Sequence, residues 1–389
     1  MTNTCQTAER LQPFGETIFS EISRLAIAHN AINLGQGFPN FDGPESVRQA
    51  AIEAISNGCN QYAPSIGIPP LREAIAARFH ERTNLEVDAT QNVTVTTGCT
   101  EALAAAALGL FNPGDEVILF EPFYDSYRAI VAFAGATPRF VTLHGPRFTF
   151  DPAELSSAFS QRTRAIIVNT PHNPTGRVFS HDELEVIATL CRERDVLVLA
   201  DEVYEDIVFD EAEHISIATL PGMWERTLTL SSLGKSFSFT GWKVGWAVGP
   251  EALTQALRSA HQFMTFCTAT PLQHAAVSAL RSDAAYFAAL QSDYQRKRDI
   301  LTTGLEAIGF VLTPPKGTYF ILADHTPFGF ADDVTFCKHL IEHIGVAAIP
   351  PSAFYAHAEH GKAYVRFAFC KDDATLREAL ERMINLTLA

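Results

Sequence analysis

The chain has 389 residues, of which 47% are hydrophobic and 19% are charged, so it can build one large buried core or two smaller ones. Its 44 acidic residues outnumber 29 basic ones, and the formal net charge of −15 argues against nucleic acid or an anionic membrane as the main partner. No apolar run approaches the ~18 residues of a spanning helix, and residues 1–16 lack a signal peptide's apolar centre, so we expect a cytoplasmic protein.

Short apolar segments alternate with helical patterns from about residue 92 onward. Buried strands are predicted, in chain order, at 92–97, 116–120, 165–169, 196–200 and 227–232. Helical patterns separate several of them, for example at 181–195. This alternation indicates an α/β fold with a mostly parallel sheet that is covered by helices on both faces.

The last hundred residues follow a different pattern. A helical pattern at about 285–308 precedes short apolar strands and a final helix, which indicates a smaller α+β domain. The first forty or so residues are expected to pack with it. We therefore predict an N-terminal segment at 1–45, a large domain at 46–284 and a small C-terminal domain at 285–389.

Polar side chains follow several of the predicted strands, at the sheet edge where ligands of such folds bind. In chain order they are Asn169 and Asn173, Asp201 and Tyr204, and Ser232 and Lys235. A further strand runs into Gly-Cys-Thr at 98–100, which opens a helix whose free N–H groups would attract a phosphate. One molecule with a phosphate, a basic ring nitrogen, a phenolate and an aldehyde would satisfy all of these groups.

The stretch SSLGKSFSFTGWKVGW at 231–246 carries two lysines among aromatic and small residues and contains no carboxylate. A solvated surface segment would normally mix acidic residues with the lysines. Either the stretch is an irregular loop, or Lys235 and Lys243 lie inside the protein and take part in chemistry.

Several motifs together resemble a known family. SSLGKSFSFTGWKVGW, HNPTG, DEVYE and YVRFAF are similar to those of class I aminotransferases of fold type I, which depend on pyridoxal 5′-phosphate, and the resemblance runs from about residue 14 to the C-terminus. It implies a large domain with a seven-stranded, mostly parallel sheet and a smaller α+β domain built from both termini. NLGQGFPNFDGP, NQYAPSIGIPPLREAI and EPFYDSY most resemble bacterial methionine aminotransferases and kynurenine/glutamine aminotransferases.

The resemblance implies the catalytic roles. Lys235 would bind the cofactor aldehyde covalently and, once released, move a proton between the substrate α-carbon and the cofactor. Asp201 would pair with the protonated ring nitrogen, and Tyr204 and Asn173 would donate to the ring phenolate oxygen. By residue type alone, Lys235 could be a surface lysine, Asp201 a helix cap, and the other two ordinary loop residues.

The resemblance also implies a phosphate site. The backbone N–H groups of Cys99 and Thr100 would bind the phosphate together with the Ser232 hydroxyl and the Lys243 ammonium. Many relatives have arginine in place of Lys243, but the kynurenine-type relatives have lysine. Tyr124 would stack on the cofactor ring, although a buried core tyrosine is the alternative.

Arg366 lies in the alternating strand 364–369, where it could be half-solvated or salt-bridged. The resemblance makes it the bidentate clamp of the substrate α-carboxylate, completed by Asn169 and the backbone around Gly37.

Phe19, Phe320 and Phe266 match positions that line the substrate side-chain pocket of the relatives, with Phe266 reaching across from the neighbouring subunit. Tyr62 matches a tyrosine that touches the neighbour's cofactor phosphate, so we expect a homodimer.

The kynurenine-type relatives have tryptophan in place of Phe19 and histidine in place of Cys267. The apolar pocket suits methionine, aromatic amino acids, glutamine or kynurenine. The absence of arginine from HQFMTFCTATPLQ disfavours aspartate.

The leading hypothesis is a ping-pong aminotransferase, and two other functions are alternatives to it. The same scaffold could catalyse β-elimination from cysteine S-conjugates, which would release pyruvate and ammonia. A non-catalytic regulator that binds the cofactor is disfavoured. Such proteins usually carry a basic DNA-binding domain, whereas this chain is acidic and the resemblance already begins near residue 14.

Weaker signals predict no further site. GQGFPN lacks the third glycine of a dinucleotide fingerprint, so we do not interpret it as a nucleotide site. His339 with His343, and His357 with Glu359 and His360, are interpreted as solvated polar residues rather than metal ligands. The cysteines are scattered and are expected to be reduced; they are Cys5, Cys59, Cys99, Cys191, Cys267, Cys337 and Cys370.

Overall fold

The computed structural model describes residues 7–388. Its helices are α1 (Ile18–Ala28), α2 (Glu45–Ser56), α3 (Pro69–Thr83), α4 (Gly98–Leu110), α5 (Ser126–Phe133), α6 (Pro152–Ala158), α7 (His181–Arg194), α8 (Leu233–Ser236), α9 (Glu251–Met264), α10 (Thr270–Leu280), α11 (Ala284–Ile308), α12 (Asp333–His339) and α13 (Asp373–Met383). Its strands are β1 (Ile32–Asn33), β2 (Val93–Thr96), β3 (Glu116–Glu121), β4 (Thr137–Thr142), β5 (Thr163–Asn169), β6 (Leu197–Asp201), β7 (Thr227–Ser232), β8 (Gly245–Val248), β9 (Val311–Leu312), β10 (Phe320–Asp324), β11 (Val346–Ala347) and β12 (Tyr364–Ala368).

Seven strands form one sheet in the order β2-β8-β7-β6-β5-β3-β4. Strand β8 runs antiparallel to both of its neighbours, and the other pairs are parallel. The prediction of a mostly parallel sheet is confirmed. The central strands are buried along nearly their whole length, as continuous apolar runs covered on both faces require.

Local signals explain where the helices begin and end. Helix α7 begins at a capping box, in which the Ser180 hydroxyl accepts a hydrogen bond from the Glu183 N–H and the Glu183 carboxylate accepts one from the Ser180 N–H. Helix α11 ends at Ile308 and is capped by Gly309, whose φ of +117° few other residues adopt. Both helices match the predicted ranges within a residue or two.

The second, smaller part of the structure joins the two ends of the chain. Strands β12, β10 and β9 form an antiparallel sheet, and β1 pairs in parallel with β11. The Asn40 side chain donates to the Asp372 carboxylate at 2.9 Å. The expected packing of the N-terminal segment against the C-terminal region is therefore present, whereas the domain boundaries at residues 45 and 284 stay a prediction.

Among residues 7–388, no helix combines the length and apolar character needed to cross a lipid bilayer. The six cysteines in this range are free thiols. Cys5 lies outside the described residues.

Candidate active site

A cavity of about 360 Å³ opens at the carboxyl edge of the large sheet. It collects every predicted site residue except Tyr62 and Phe266. The predicted residues that line it are Phe19, Gly37, Cys99, Thr100, Tyr124, Asn169, Asn173, Asp201, Tyr204, Ser232, Lys235, Lys243, Phe320 and Arg366. Parallel strands bring these distant parts of the sequence together, because their carboxyl ends meet at the same edge.

Asp201 ends β6 and is 4% exposed. Its carboxylate accepts a hydrogen bond from the Tyr127 hydroxyl at 2.7 Å and one from the Val203 N–H at 3.3 Å. Burial raises the pKa of Asp201, whereas the Tyr127 hydrogen bond lowers it. A cation placed against this carboxylate would offset its desolvation, which suits a protonated ring nitrogen.

Lys235 lies in α8, the short helix that follows β7, and its side chain is half-buried. Its Nζ donates a hydrogen bond to the Tyr319 hydroxyl at 3.0 Å. Burial lowers the pKa of Lys235 to about 8. Roughly a tenth of the amine is therefore neutral at pH 7, which is the form that a nucleophile or general base needs.

Lys243 lies at the cavity wall beside the N-terminus of α4. A Cβ on Gly98, whose φ is +78°, would lie 3.2 Å from the Lys243 Nζ, so the cation sits directly over the helix start. An interior position, one of the two alternatives for the stretch 231–246, does not hold for Lys243, which is exposed in the single chain. The aromatic side chains Phe237 and Phe239 of the same stretch turn into the core instead.

Hydrogen bonds link Asn169 to Asn173, Asn169 to Asp201 and Asn173 to Arg366. The Asn169 amide donates to the Asp201 carbonyl at 2.8 Å, and its oxygen accepts from the Asn173 N–H at 2.8 Å. The Asn173 oxygen accepts from an Arg366 guanidinium nitrogen at 3.0 Å, which leaves the Asn173 amide nitrogen free to donate. This orientation suits a phenolate acceptor in the cavity.

Arg366 is 1% exposed, so the half-solvated alternative is wrong. Its guanidinium donates to the Gly35 carbonyl at 2.9 Å, while its Nε has no partner within residues 7–388. The guanidinium carbon lies 4.1 Å from the ring centroid of Phe320, 5.0 Å from that of Phe354 and 5.3 Å from that of Phe19. Burial lowers the pKa of Arg366 to about 10. A buried cation with a free donor is prepared for an anionic ligand.

Sequence reasoning missed three residues that support the site: Tyr127, Tyr319 and Phe354. Tyr127 belongs to the EPFYDSY motif, and its place three residues after Tyr124 was the available signal. Tyr319 directly precedes Phe320, and Phe354 ends a short 3-10 helix, Pro351–Phe354, that has no motif of its own. Their hydroxyl or ring contacts join segments that are far apart in the sequence.

Tyr62 and Phe266 lie outside this cavity. Tyr62 is 84% exposed and Phe266 47%, and their rings meet edge to face at 5.3 Å. Both were expected to act on a neighbouring subunit, and that role stays a prediction.

The histidines interpreted as solvated differ in their contacts. His357 contacts the buried Glu121 carboxylate at 2.6 Å, so it makes a specific ion pair as well as facing solvent. Within residues 7–388, potential metal ligands come together only at Glu202, Glu205 and His214. The Arg82 guanidinium lies 3.8 Å from Glu205, and we assign this group to an ion-pair network rather than to a metal.

The donor set fits pyridoxal phosphate in each of its parts. A helix N-terminus with a hydroxyl and an ammonium suits the phosphate, and the buried Asp201 suits the ring nitrogen. The Asn173 amide suits the phenolate oxygen, and the Lys235 amine suits the aldehyde.

Comparisons with known proteins agree with this geometry. The family model "Aminotransferase class I and II" matches residues 29–383. The chain is 47% identical to the probable N-succinyldiaminopimelate aminotransferase DapC of Mycobacterium tuberculosis, covering 97% of this chain and 98% of the relative. It is 41% identical to methionine aminotransferase of Escherichia coli and 41% identical to kynurenine–oxoglutarate transaminase 1 of Homo sapiens, with 97% of each chain covered in both cases.

A solved structure of the N-succinyldiaminopimelate aminotransferase from Mycobacterium tuberculosis superposes with a TM-score of 0.96 at 47% identity, over 98% of this chain and 100% of that one. These findings decide against the non-catalytic regulator and confirm the resemblance found in the sequence. The chain belongs to the class I and II aminotransferase family and is a pyridoxal phosphate-dependent aminotransferase.

Proposed function

We propose that this aminotransferase takes its amino group from L-amino acids with apolar or aromatic side chains, of the methionine, phenylalanine, kynurenine or glutamine type. A 2-oxo acid then accepts the amine in the second half of a ping-pong cycle. The observation that carries the proposal is the set of phenyl rings around the Arg366 guanidinium. Of the described residues that line the cavity, the cationic ones are Lys235, Lys243 and Arg366. All three are assigned to the cofactor or to the substrate α-carboxylate, so no cation in this set remains to bind an acidic group on the substrate side chain.

In this proposal Arg366 fixes the substrate by its α-carboxylate. The free Nε and the adjacent N–H groups can bind the two carboxylate oxygens, and the surrounding rings exclude water from the ion pair. The substrate side chain then contacts Phe19 and Phe320. A second carboxylate at that position would be desolvated without a partner, which explains the preference for neutral side chains.

The chain's own groups then handle the proton. Pyridoxal phosphate, when bound, supplies an aldehyde that accepts the amine and a ring that withdraws electrons. We assign Asp201 to holding the ring nitrogen protonated, and Lys235 to carrying the proton that leaves the substrate α-carbon. Burial keeps the pKa of Lys235 low, at about 8, so the amine can accept a proton at working pH. Tyr204 and Asn173 are assigned to the phenolate oxygen, and Lys243 to the phosphate.

A homodimer with active sites at its interface forms part of the proposal. Tyr62, Phe263, Met264 and Phe266 leave an exposed apolar patch on the single chain, with Phe263 86% exposed. Sedimentation would give the oligomeric state. Mixing the inactive Lys235→Ala protein with an inactive Tyr62→Ala protein would restore activity if Tyr62 completes the neighbour's site, whereas unchanged inactivity of the mixture would contradict the cross-subunit role.

The deciding experiment is a single-turnover titration of the cofactor-loaded enzyme. Methionine, phenylalanine, kynurenine, glutamine and aspartate are added separately while the visible absorption of the bound cofactor is followed. Rapid bleaching with release of the matching 2-oxo acid is expected from the first four. A faster reaction with aspartate would refute the apolar-pocket proposal. Pyruvate and ammonia from cysteine conjugates, without transamination of any donor, would favour the β-elimination alternative.

A second candidate donor comes from the 47% identical relative named as a probable N-succinyldiaminopimelate aminotransferase. The same titration includes N-succinyl-diaminopimelate. If this donor reacts at least as fast as methionine, the anionic end of the substrate must be bound outside the cavity residues named above.

A further inference from the structure

The Tyr319 hydroxyl joins the amine of Lys235 to the backbone of Gly37. It accepts a hydrogen bond from the Lys235 Nζ at 3.0 Å and donates one to the Gly37 carbonyl at 2.7 Å. A phenol has a single proton, and here that proton is committed to the carbonyl oxygen. The lone pairs of the Tyr319 oxygen therefore face the lysine, which can only act as the donor.

The surrounding backbone holds Tyr319 in this position. Tyr319 is 0% exposed and follows Thr318, whose φ of +64° is unfavourable for a β-branched residue. The Thr318 N–H donates to the Ile207 carbonyl at 2.9 Å, which fixes this conformation. On the other side, a Cβ on Gly37 would lie 2.8 Å from a Tyr319 ring carbon, so only glycine allows the ring to approach this closely. Strain maintained by its neighbours is typical of functional sites.

We propose that Tyr319 is a positioning residue for Lys235, orienting the released ε-amine so that one N–H points to the Tyr319 oxygen and the nitrogen lone pair faces the substrate α-carbon. This inference rests on the role assigned to Lys235 under the proposed function. Tyr319 gives up no proton in the cycle, because its own proton stays bonded toward Gly37. Burial raises the pKa of Tyr319 well above its ordinary value, so the phenol remains protonated over the working pH range.

The arrangement also ties the catalytic amine to the carboxylate end of the site. Gly37 belongs to the segment expected to help bind the substrate carboxylate, and the Gly35 carbonyl in the same segment accepts from Arg366 at 2.9 Å. A shift of this segment on substrate binding would therefore be transmitted to the Lys235 amine through a single phenol.

The test compares two tyrosine-to-phenylalanine variants of the holoenzyme. Tyr319→Phe removes the hydroxyl that accepts from Lys235. Tyr294→Phe is a matched control, because Tyr294 is 1% exposed, its ring lies 5.9 Å from that of Tyr319, and its hydroxyl has no hydrogen-bond partner within residues 7–388. A third protein with 3-fluorotyrosine at position 319 keeps the ring and the hydroxyl but weakens the acceptor.

We expect Tyr319→Phe to lower the single-turnover rate about 10- to 100-fold, the range for losing a hydrogen bond to a charged or reacting group, and to increase the isotope effect of an α-deuterated donor. The acid limb of its rate–pH profile should move to lower pH, because an acceptor on the amine favours its protonated form. Asp201, Cys99, Cys370 and Lys243 also act on Lys235, and the Tyr204 ring centroid lies 5.4 Å from its Nζ; all five are unchanged in the variant. The fluorotyrosine protein should be intermediate, and Tyr294→Phe should stay within about twofold of the parent.

An unchanged isotope effect and pH profile in Tyr319→Phe, or equal losses in both phenylalanine variants, would overturn the inference. Borohydride reduction followed by peptide mass spectrometry separates this result from a failure of the proposed function. Cofactor fixed on Lys235 in every protein supports the assignment on which the inference rests, and cofactor fixed on another lysine overturns both.

Discussion

Replacing Arg366 with lysine tests the substrate clamp most directly. The substitution keeps the positive charge but removes the planar fork that binds two carboxylate oxygens at once. In the structure the guanidinium uses its terminal nitrogens on the Gly35 carbonyl and the Asn173 oxygen, and lysine cannot hold both of these contacts and the substrate. Lysine also lacks the planar guanidinium, whose carbon lies 4.1 Å from the ring centroid of Phe320.

The size of the effect follows from the lost contacts. One charged hydrogen bond to the substrate is removed, which contributes about 1.5–3 kcal/mol. We therefore expect kcat/KM for methionine to fall about 10- to 150-fold in Arg366→Lys, mainly through KM. The measurement is single-turnover bleaching of the bound cofactor over a range of donor concentrations.

Two controls make the result specific. The amine that corresponds to methionine without its carboxylate should react slowly with the parent and the variant alike, because neither can use the clamp. Arg298→Lys changes another buried arginine, one that pairs with Asp210 at 2.8 Å, and should leave the kinetics unchanged in the folded fraction. A loss of less than about threefold in Arg366→Lys, or an equal loss with the decarboxylated amine, would refute the role of Arg366 as the clamp.

Three further predictions concern the cofactor site and the ion pair between Glu121 and His357. Asp201→Asn should retain the cofactor but slow proton abstraction at least 100-fold, because a neutral amide cannot hold the ring nitrogen protonated, and stopped-flow absorbance with isotopically labelled donor would check this. Gly98→Ala should weaken cofactor affinity at least tenfold, because the φ of +78° is unfavourable for alanine and the new methyl group would crowd the Lys243 ammonium. Fluorescence titration of the apoenzyme with the cofactor measures this affinity, and an unchanged value would contradict the prediction. The Glu121 carboxylate raises the pKa of His357, so the pair stabilises the fold below the unfolded pKa of histidine and loses this contribution as pH rises through the raised folded value. Scanning calorimetry between about pH 6 and pH 9 should therefore show a steeper fall in Tm for the parent than for Glu121→Gln.

Much of the site could be predicted from the sequence because its chemistry is local to strand ends. Apolar runs defined β5, β6 and β7, and the polar residue after each run had to lie at the carboxyl edge of a parallel sheet. For this reason Asn169, Asp201 and Lys235 were found without any contact information. The helix that opens after β2 was likewise sufficient to predict an anion site.

The contacts that orient these side chains could not be predicted from the sequence, because they are made in the tertiary structure. Tyr319 lies 84 residues after Lys235 and 282 residues after Gly37, yet its hydroxyl touches both. The exposure of Lys243 was also hidden from the sequence, because one aromatic-rich stretch sends its rings into the core and its second lysine to the cavity rim.

Residue type and strand pattern therefore determine which groups reach the sheet edge, because strand direction and side-chain alternation are local properties. Which partner each group meets there depends on loops that return from distant parts of the chain. Hydrogen-bond direction, burial and pKa arise from those partners, so only the folded structure decides that the Lys235 amine is held by a phenol and that the Arg366 guanidinium is enclosed by three rings.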